Sequence, residues 1–132
     1  MTTVLFACVH NAGRSQMAAG FFNTLADPAK AHAQSAGTRP ADRVHPVVIE
    51  VIREAGIDLS GQTPRRLTPE IARGVSWLIT MGCGDECPVV PGVARDEWPL
   101  DDPAGQPLDR VRVLRGEILA RVERFLDRER LR

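Results

Sequence analysis

Residues 7 to 18, Ala-Cys-Val-His-Asn-Ala-Gly-Arg-Ser-Gln-Met-Ala, bring a thiol, an imidazole, a carboxamide, a guanidinium and a hydroxyl close together in the chain. The small residues Asn11-Ala12-Gly13 let successive backbone N–H groups converge, and a helix beginning just beyond them adds the positive end of its dipole. Arg14 offers a planar fork of donors that grips two oxygens of an anion at once. Together these suit a tetrahedral oxyanion and favour a thiolate, which makes Cys8 the candidate nucleophile. Ser15 is placed to donate to that thiolate and Asn11 to hold the loop in shape. The candidate oxyanion loop is therefore Val9, His10, Asn11, Ala12, Gly13, Arg14 and Ser15. A buried small hydrophobe and a surface charge would explain Cys8 and Arg14 taken singly. Their spacing, cysteine, five residues, arginine, between a strand pattern and a helix pattern, favours an anion site.

Two further thiols, Cys83 and Cys87, stand in Thr-Met-Gly-Cys-Gly-Asp-Glu-Cys-Pro. An odd total of three cysteines argues against a structural disulfide framework and leaves catalysis, redox exchange or metal binding. Zinc would need two more ligands, and His10, His32 and His45 show no ligand spacing, so no metal site is expected. His10 lies within the loop and lines the pocket, whereas His32 and His45 read as surface or capping residues.

These groups need a frame. Residues 2 to 7 form an apolar, partly β-branched run that reads as a buried parallel strand. Met17, Ala18, Phe21, Phe22 and Leu25 recur at helical spacing until Asp27-Pro28. A second strand is expected over residues 31 to 36, followed by a helix opened by Pro46, with Val48, Ile49, Ile52 and Ala55 inward and Gly56 as its cap. Thr68 caps a short helix to about Arg73, residues 75 to 82 form a third strand, and residues 93 to 100 contain a fourth. Val111, Leu114, Ile118, Val122 and Phe125 make one apolar stripe on a last helix. Strands alternating with helices over 132 residues predict a single-domain α/β fold, an open parallel four-stranded sheet with helices on both faces. Ligands of such sheets bind at the carboxyl ends of the strands, where Cys8 falls.

Seventeen basic residues balance 17 acidic ones, so bulk charge recommends neither nucleic acid nor an anionic membrane as partner. No stretch approaches a membrane span, and the N-terminus lacks the features of a secretory signal, so a cytoplasmic location is expected. A monomer is expected as well.

Cys8 to Ser15, with Ser-Ala-Gly-Thr at 35 to 38, Ala-Gly-Ile-Asp-Leu-Ser-Gly at 55 to 61 and Asp-Asp-Pro-Ala-Gly at 101 to 105, resembles the low-molecular-weight tyrosine phosphatase superfamily, and within it the arsenate reductases. The resemblance spans the whole chain and implies that superfamily's flavodoxin-like fold. It implies Cys8 as nucleophile, Arg14 as oxyanion clamp and Asp102 as general acid, with Asp101 in reserve. It further implies a relay in which Cys83 takes over the oxidation of Cys8 and Cys87 that of Cys83, leaving a disulfide for thioredoxin, or mycothiol with mycoredoxin, to reduce. Arsenate would be the substrate, phosphate and sulfate competing anions, and no tightly bound cofactor is needed. The phosphatases of the superfamily usually carry Pro, Cys and Tyr where this chain has Gln16, Gly13 and Ala104. With no tyrosine anywhere, the chain has no aromatic wall of that kind for a phosphotyrosine ring. Trp98 reads as a core residue. A phosphatase using the same Cys8, Arg14 and Asp102 is the alternative, and a non-catalytic oxyanion-binding or redox-sensing module a second. Glycines and prolines around the later cysteines predict mobility over residues 82 to 91, and their four-residue separation suits a disulfide closed in a loop better than one in a regular helix.

Overall fold

The computed structural model describes residues 1–83 and 86–132, so the expectation of mobility over 82 to 91 falls partly on Gly84 and Asp85, outside the described residues. In chain order the elements are β1 (Thr2–Cys8), α1 (Arg14–Leu25), β2 (Ala31–Gly37), α2 (Pro46–Arg53), α3 (Pro69–Arg73), β3 (Trp77–Thr80), β4 (Ala94–Glu97) and α4 (Leu108–Glu129). The strands form one parallel sheet in the order β2-β1-β3-β4.

The continuous apolar run of β1 explains its central place. Val4, Leu5, Phe6 and Ala7 are all fully buried, as a parallel strand covered on both faces requires. Strand alternation sends Val4, Phe6 and Cys8 to one face and Leu5 and Ala7 to the other. The first face is covered by α1, α2 and α4, the last through the stripe from Val111 to Phe125. Trp98 belongs to this core, with its ring centroid 5.4 Å from that of Phe6. The second face is smaller and carries Ala72 of α3, Val75, Leu78, Cys83 and Cys87.

Helix α1 begins at Arg14, ahead of the apolar repeat that starts at Met17, because its first turn, Arg14, Ser15 and Gln16, is polar yet buried. Helix α2 stops at Arg53. Val51 rather than Ala55 turns inward, and Gly56, at φ +84°, makes the left-handed turn just beyond the helix. Thr68 caps α3 as expected, its hydroxyl accepting from the Ile71 N–H at 3.3 Å. Strand β3 is shorter than the apolar run suggests and gives way to Gly82 at φ +95°.

From β1 the chain passes to β2 on one side, and only later to β3 on the other. The carboxyl ends of β1 and β3 therefore frame a crevice, and Cys8 sits at its edge.

One ion cluster ties α2 to α4. The Glu54 carboxylate accepts from Arg112 at 2.8 and 3.0 Å and from Arg115 at 2.8 Å, while Arg115 also donates to the Val51 carbonyl at 2.7 Å. The Arg112 and Arg115 hydrogen bonds hold the Glu54 carboxyl at about 2, below its ordinary 4.5. A carboxyl depressed in the folded state stabilises the fold above its unfolded pKa, and that contribution is lost as pH falls through the folded value. Glu54→Gln should therefore lower stability to denaturant at neutral pH, with a gap from wild type that narrows below pH 4.5 and closes near pH 2. A gap independent of pH would show that the charge contributes nothing.

Candidate active site at the carboxyl end of β1

Cys8 ends β1 with only 2% of its surface exposed. Its sulfur accepts the Asn11 backbone N–H at 3.2 Å and lies 2.9 Å from the Ser15 hydroxyl. That hydroxyl accepts from Asn11 Nδ2 at 2.7 Å, which leaves its own proton to point at the sulfur. Two donors thus converge on Cys8, the arrangement a thiolate needs.

Asn11 makes this convergence possible. Its backbone turns through φ +50°, a left-handed conformation asparagine tolerates better than most residues. Its side-chain oxygen accepts from the Arg65 N–H at 3.0 Å and from Gln16 Nε2 at 3.3 Å, and the same Gln16 amide reaches the Asn11 carbonyl at 3.1 Å. The other loop carbonyls are engaged as well. Those of Cys8, Val9, His10 and Ala12 accept N–H groups from Thr38, Arg39, Ala41 and His45, and that of Gly13 accepts from Met17. With every carbonyl from Cys8 to Gly13 engaged and the Asn11 N–H on the Cys8 sulfur, it is the remaining loop N–H groups that can be offered to an anion, reinforced by the N–H groups of the first turn of α1.

Arg14 is the first residue of α1 and 6% exposed. Its Nη1 donates to the Leu100 carbonyl at 3.1 Å and its Nη2 lies 3.8 Å from Asp102 Oδ2. Its Nε is buried without a hydrogen-bond partner among the described residues. Such a donor is costly unless an acceptor comes to it, and an oxyanion in the loop is an acceptor of that kind. Two glycines make room for this packing: a Cβ at Gly82 would overlap Arg14 Nη1, and one at Gly13 would lie 2.5 Å from the Pro103 ring.

The two acids diverge. Asp101 is mostly exposed and pairs with Arg110 of α4 at 3.1 Å, away from the loop. Asp102 is half-exposed; its Oδ1 accepts the Ala104 N–H at 3.0 Å while Oδ2 faces Arg14 and, at 4.0 Å, His10 Nδ1. His32 and His45 take no part: His32 is exposed with its ring near Met1, and His45 contributes its backbone N–H before α2.

Cys83 and Cys87 form a disulfide with Cα atoms 5.7 Å apart, and Cys8 remains a free thiol. Both bridged residues are buried, in the second-face cluster that includes Ala7 and into which Val9 packs. Both cysteines lie between β3 and β4 in the chain. Glu86 between them accepts from the Thr38 hydroxyl at 3.0 Å and from Arg39 at 3.1 Å. The chain neighbours of Cys8, Ala7 and Val9, thus pack in the same cluster as the bridge.

Sequence reasoning missed Gln16, the Arg65 N–H, the Leu100 carbonyl and the close approach at Gly82. Gln16 left a signal, a polar residue one position before the buried face of α1. Gly82 left the signal of a glycine beside Cys83, while the Arg65 N–H and the Leu100 carbonyl act through backbone atoms, which carry no residue identity.

The low-molecular-weight phosphotyrosine protein phosphatase family model matches residues 3–131. A putative arsenate reductase of Halobacterium salinarum is 39% identical over 128 residues, covering 92% of this chain and 89% of that protein. The glutaredoxin arsenate reductase of a Synechocystis species is 39% identical over 129 residues, covering 96% and 97%. Among solved structures, the thioredoxin-dependent arsenate reductase of Corynebacterium glutamicum superposes with a TM-score of 0.82 at 36% identity, over 96% of this chain and 61% of that longer one. The chain belongs to the low-molecular-weight phosphotyrosine protein phosphatase family, and its sheet with flanking helices is that family's fold.

Ser15→Ala removes one of the two hydrogen bonds to the Cys8 sulfur, and hydrogen bonds to charged groups contribute roughly 1.5–3 kcal/mol. Alkylation of Cys8 by iodoacetamide at neutral pH should slow by about tenfold or more. An unchanged rate would mean that the hydroxyl does not support the thiolate. Gly82→Ala, which pushes on Arg14, should weaken phosphate binding measured by calorimetry while leaving the fold intact by circular dichroism.

Proposed function

We propose that this chain reduces arsenate to arsenite at Cys8 and carries the oxidation away through Cys83 and Cys87. The chain is an arsenate reductase on the low-molecular-weight phosphatase fold. The observation that carries the thiol relay is a Cys83–Cys87 disulfide lodged beside an oxyanion loop whose own cysteine is free. A phosphatase needs only water for its second step. Removing two electrons from thiols to reduce As(V) needs a second sulfur, and this chain has it.

In the proposed sequence the loop amides and Arg14 hold the oxyanion, with Arg14 Nε the donor that gains a partner on binding. The Cys8 thiolate attacks arsenic, and the departing oxygen takes a proton from Asp102 and leaves as water. The Cys83 thiolate then attacks Cys8 Sγ. The S–As electron pair stays with arsenic, arsenite departs, and a Cys8–Cys83 disulfide remains. Cys87 attacks Cys83, returns Cys8 as a thiolate and produces the bridge seen here. Cys83 reaches Cys8 by passing the carboxyl end of β1, and Gly82, with its φ of +95°, supplies the backbone freedom next to it.

The bridge is returned to thiols by an external protein dithiol of the thioredoxin type, with mycothiol and mycoredoxin as the competing donor system. Phosphate and sulfate share the geometry of arsenate and compete for the loop. Ala104 is small and exposed beside Asp102, which suits an inorganic anion that needs no aromatic wall.

The test is arsenate-dependent NADPH oxidation with thioredoxin and its reductase. Cys8→Ser should abolish turnover, and Cys83→Ser and Cys87→Ser should each reduce it to background under this donor. Turnover by Cys87→Ser at the wild-type rate would sink the relay, and hydrolysis of an aryl phosphate with no arsenate reduction would sink the reductase.

A further inference from the structure

We propose that His10 is the proton-relay residue for Asp102, a role that rests on Asp102 being the acid of the reaction. His10 belongs to the oxyanion loop, yet its side chain is about half-exposed (49%) and makes no contact with the Cys8 sulfur network. The loop dictates this placement. The His10 carbonyl is held by the Ala41 N–H at 2.9 Å, and the next residue turns left-handed, so the imidazole is carried to the mouth instead of the floor.

Across that mouth stands Asp102, with one oxygen already committed. Oδ1 is held by the Ala104 N–H, which leaves Oδ2 as the oxygen that gives and receives the proton. Oδ2 has two cationic or proton-bearing neighbours, Arg14 Nη2 at 3.8 Å and His10 Nδ1 at 4.0 Å. The guanidinium of Arg14 stays protonated throughout and donates nothing transferable. Imidazole is the side chain that exchanges protons with water near neutral pH, so His10 is the neighbour able to reload the carboxylate. Rotation of two half-exposed side chains, or one bridging water, closes 4.0 Å to hydrogen-bond reach.

The charged group facing His10 from across the mouth is Asp102, which Arg14, at the loop's own end, also meets, with Cys8 on the loop's floor. Arg39, on the neighbouring segment, is turned to Glu86. The step is a proton transfer with no change in oxidation state. The imidazolium N–H first passes its proton to Oδ2, Asp102 then protonates the departing oxygen, and the neutral ring takes a proton from solvent through its other nitrogen. The net result is one proton moved from water to the leaving oxygen per turnover.

The experiment follows arsenite formation in a single turnover by the reduced protein, with no external donor, across a pH series. His10→Ala should slow the reaction by about tenfold near neutral pH. The deficit should shrink in acid, and added imidazole should restore the rate. In an Asp102→Asn background the His10→Ala substitution should have no further effect. A wild-type pH profile in His10→Ala would overturn the relay. So would a slow rate that imidazole does not rescue and that adds to the Asp102→Asn loss, since that marks a loop-shaping role. A wild-type rate in Asp102→Asn alone would instead remove the acid itself and place the failure in that assignment.

Discussion

The site depends on one left-handed residue. At φ +50°, Asn11 reverses the chain directly after the carboxyl end of β1, and its buried carboxamide is bonded at both ends: to the Ser15 hydroxyl through nitrogen, and to Arg65 and Gln16 through oxygen. Losing the Ser15 acceptor, or both donors to the oxygen, would leave a buried polar atom unsatisfied, which costs about 1–3 kcal/mol. The same bonds orient the Ser15 proton toward Cys8. Backbone geometry and nucleophile activation are therefore a single network, and double substitutions within it are not expected to be additive.

Arg14 presents the complementary constraint. A guanidinium this buried is desolvated, and its partners among the described residues are one carbonyl and one carboxylate at 3.8 Å. Taking a cation out of water without full compensation is unfavourable. An oxyanion in the loop supplies what is missing, and part of its binding free energy comes from relieving Arg14. Gly82 lets the guanidinium pack this deeply and stands directly before Cys83. The residue that would carry out the second sulfur attack is thus covalently joined to the one that shapes the anion grip.

Much of this was legible in the sequence, for identifiable reasons. The strand, loop and helix around Cys8 announce themselves because β1 is a fully buried parallel strand with an unbroken apolar run, and Arg14 and Ser15 act through side chains whose types betray their use. The N-cap of Thr68 and the stripe of α4 were readable for the same reason. Where the chemistry runs through the backbone, the sequence is silent. The amides of residues 38 to 45 that pull the loop carbonyls outward have no residue signature, nor does the Leu100 carbonyl. Asp101 and Asp102 are adjacent and chemically identical, and the direction of the chain after Trp98 decides which one meets Arg14. Helix α1 starts at Arg14, where the small residues of the loop end, and not at its first apolar residue, because its first turn is polar and buried at once, a combination that hydrophobic periodicity cannot register.

Burial of the Cys83–Cys87 bridge on the face of the sheet opposite Cys8 separates two clocks. Arsenic chemistry can finish, and Cys8 can return to its thiol, while the protein as a whole is still short two electrons. An oxidised molecule in this condition keeps an intact anion loop. In the proposed relay such a molecule, left without donor, would still hold arsenate in its loop without reducing it.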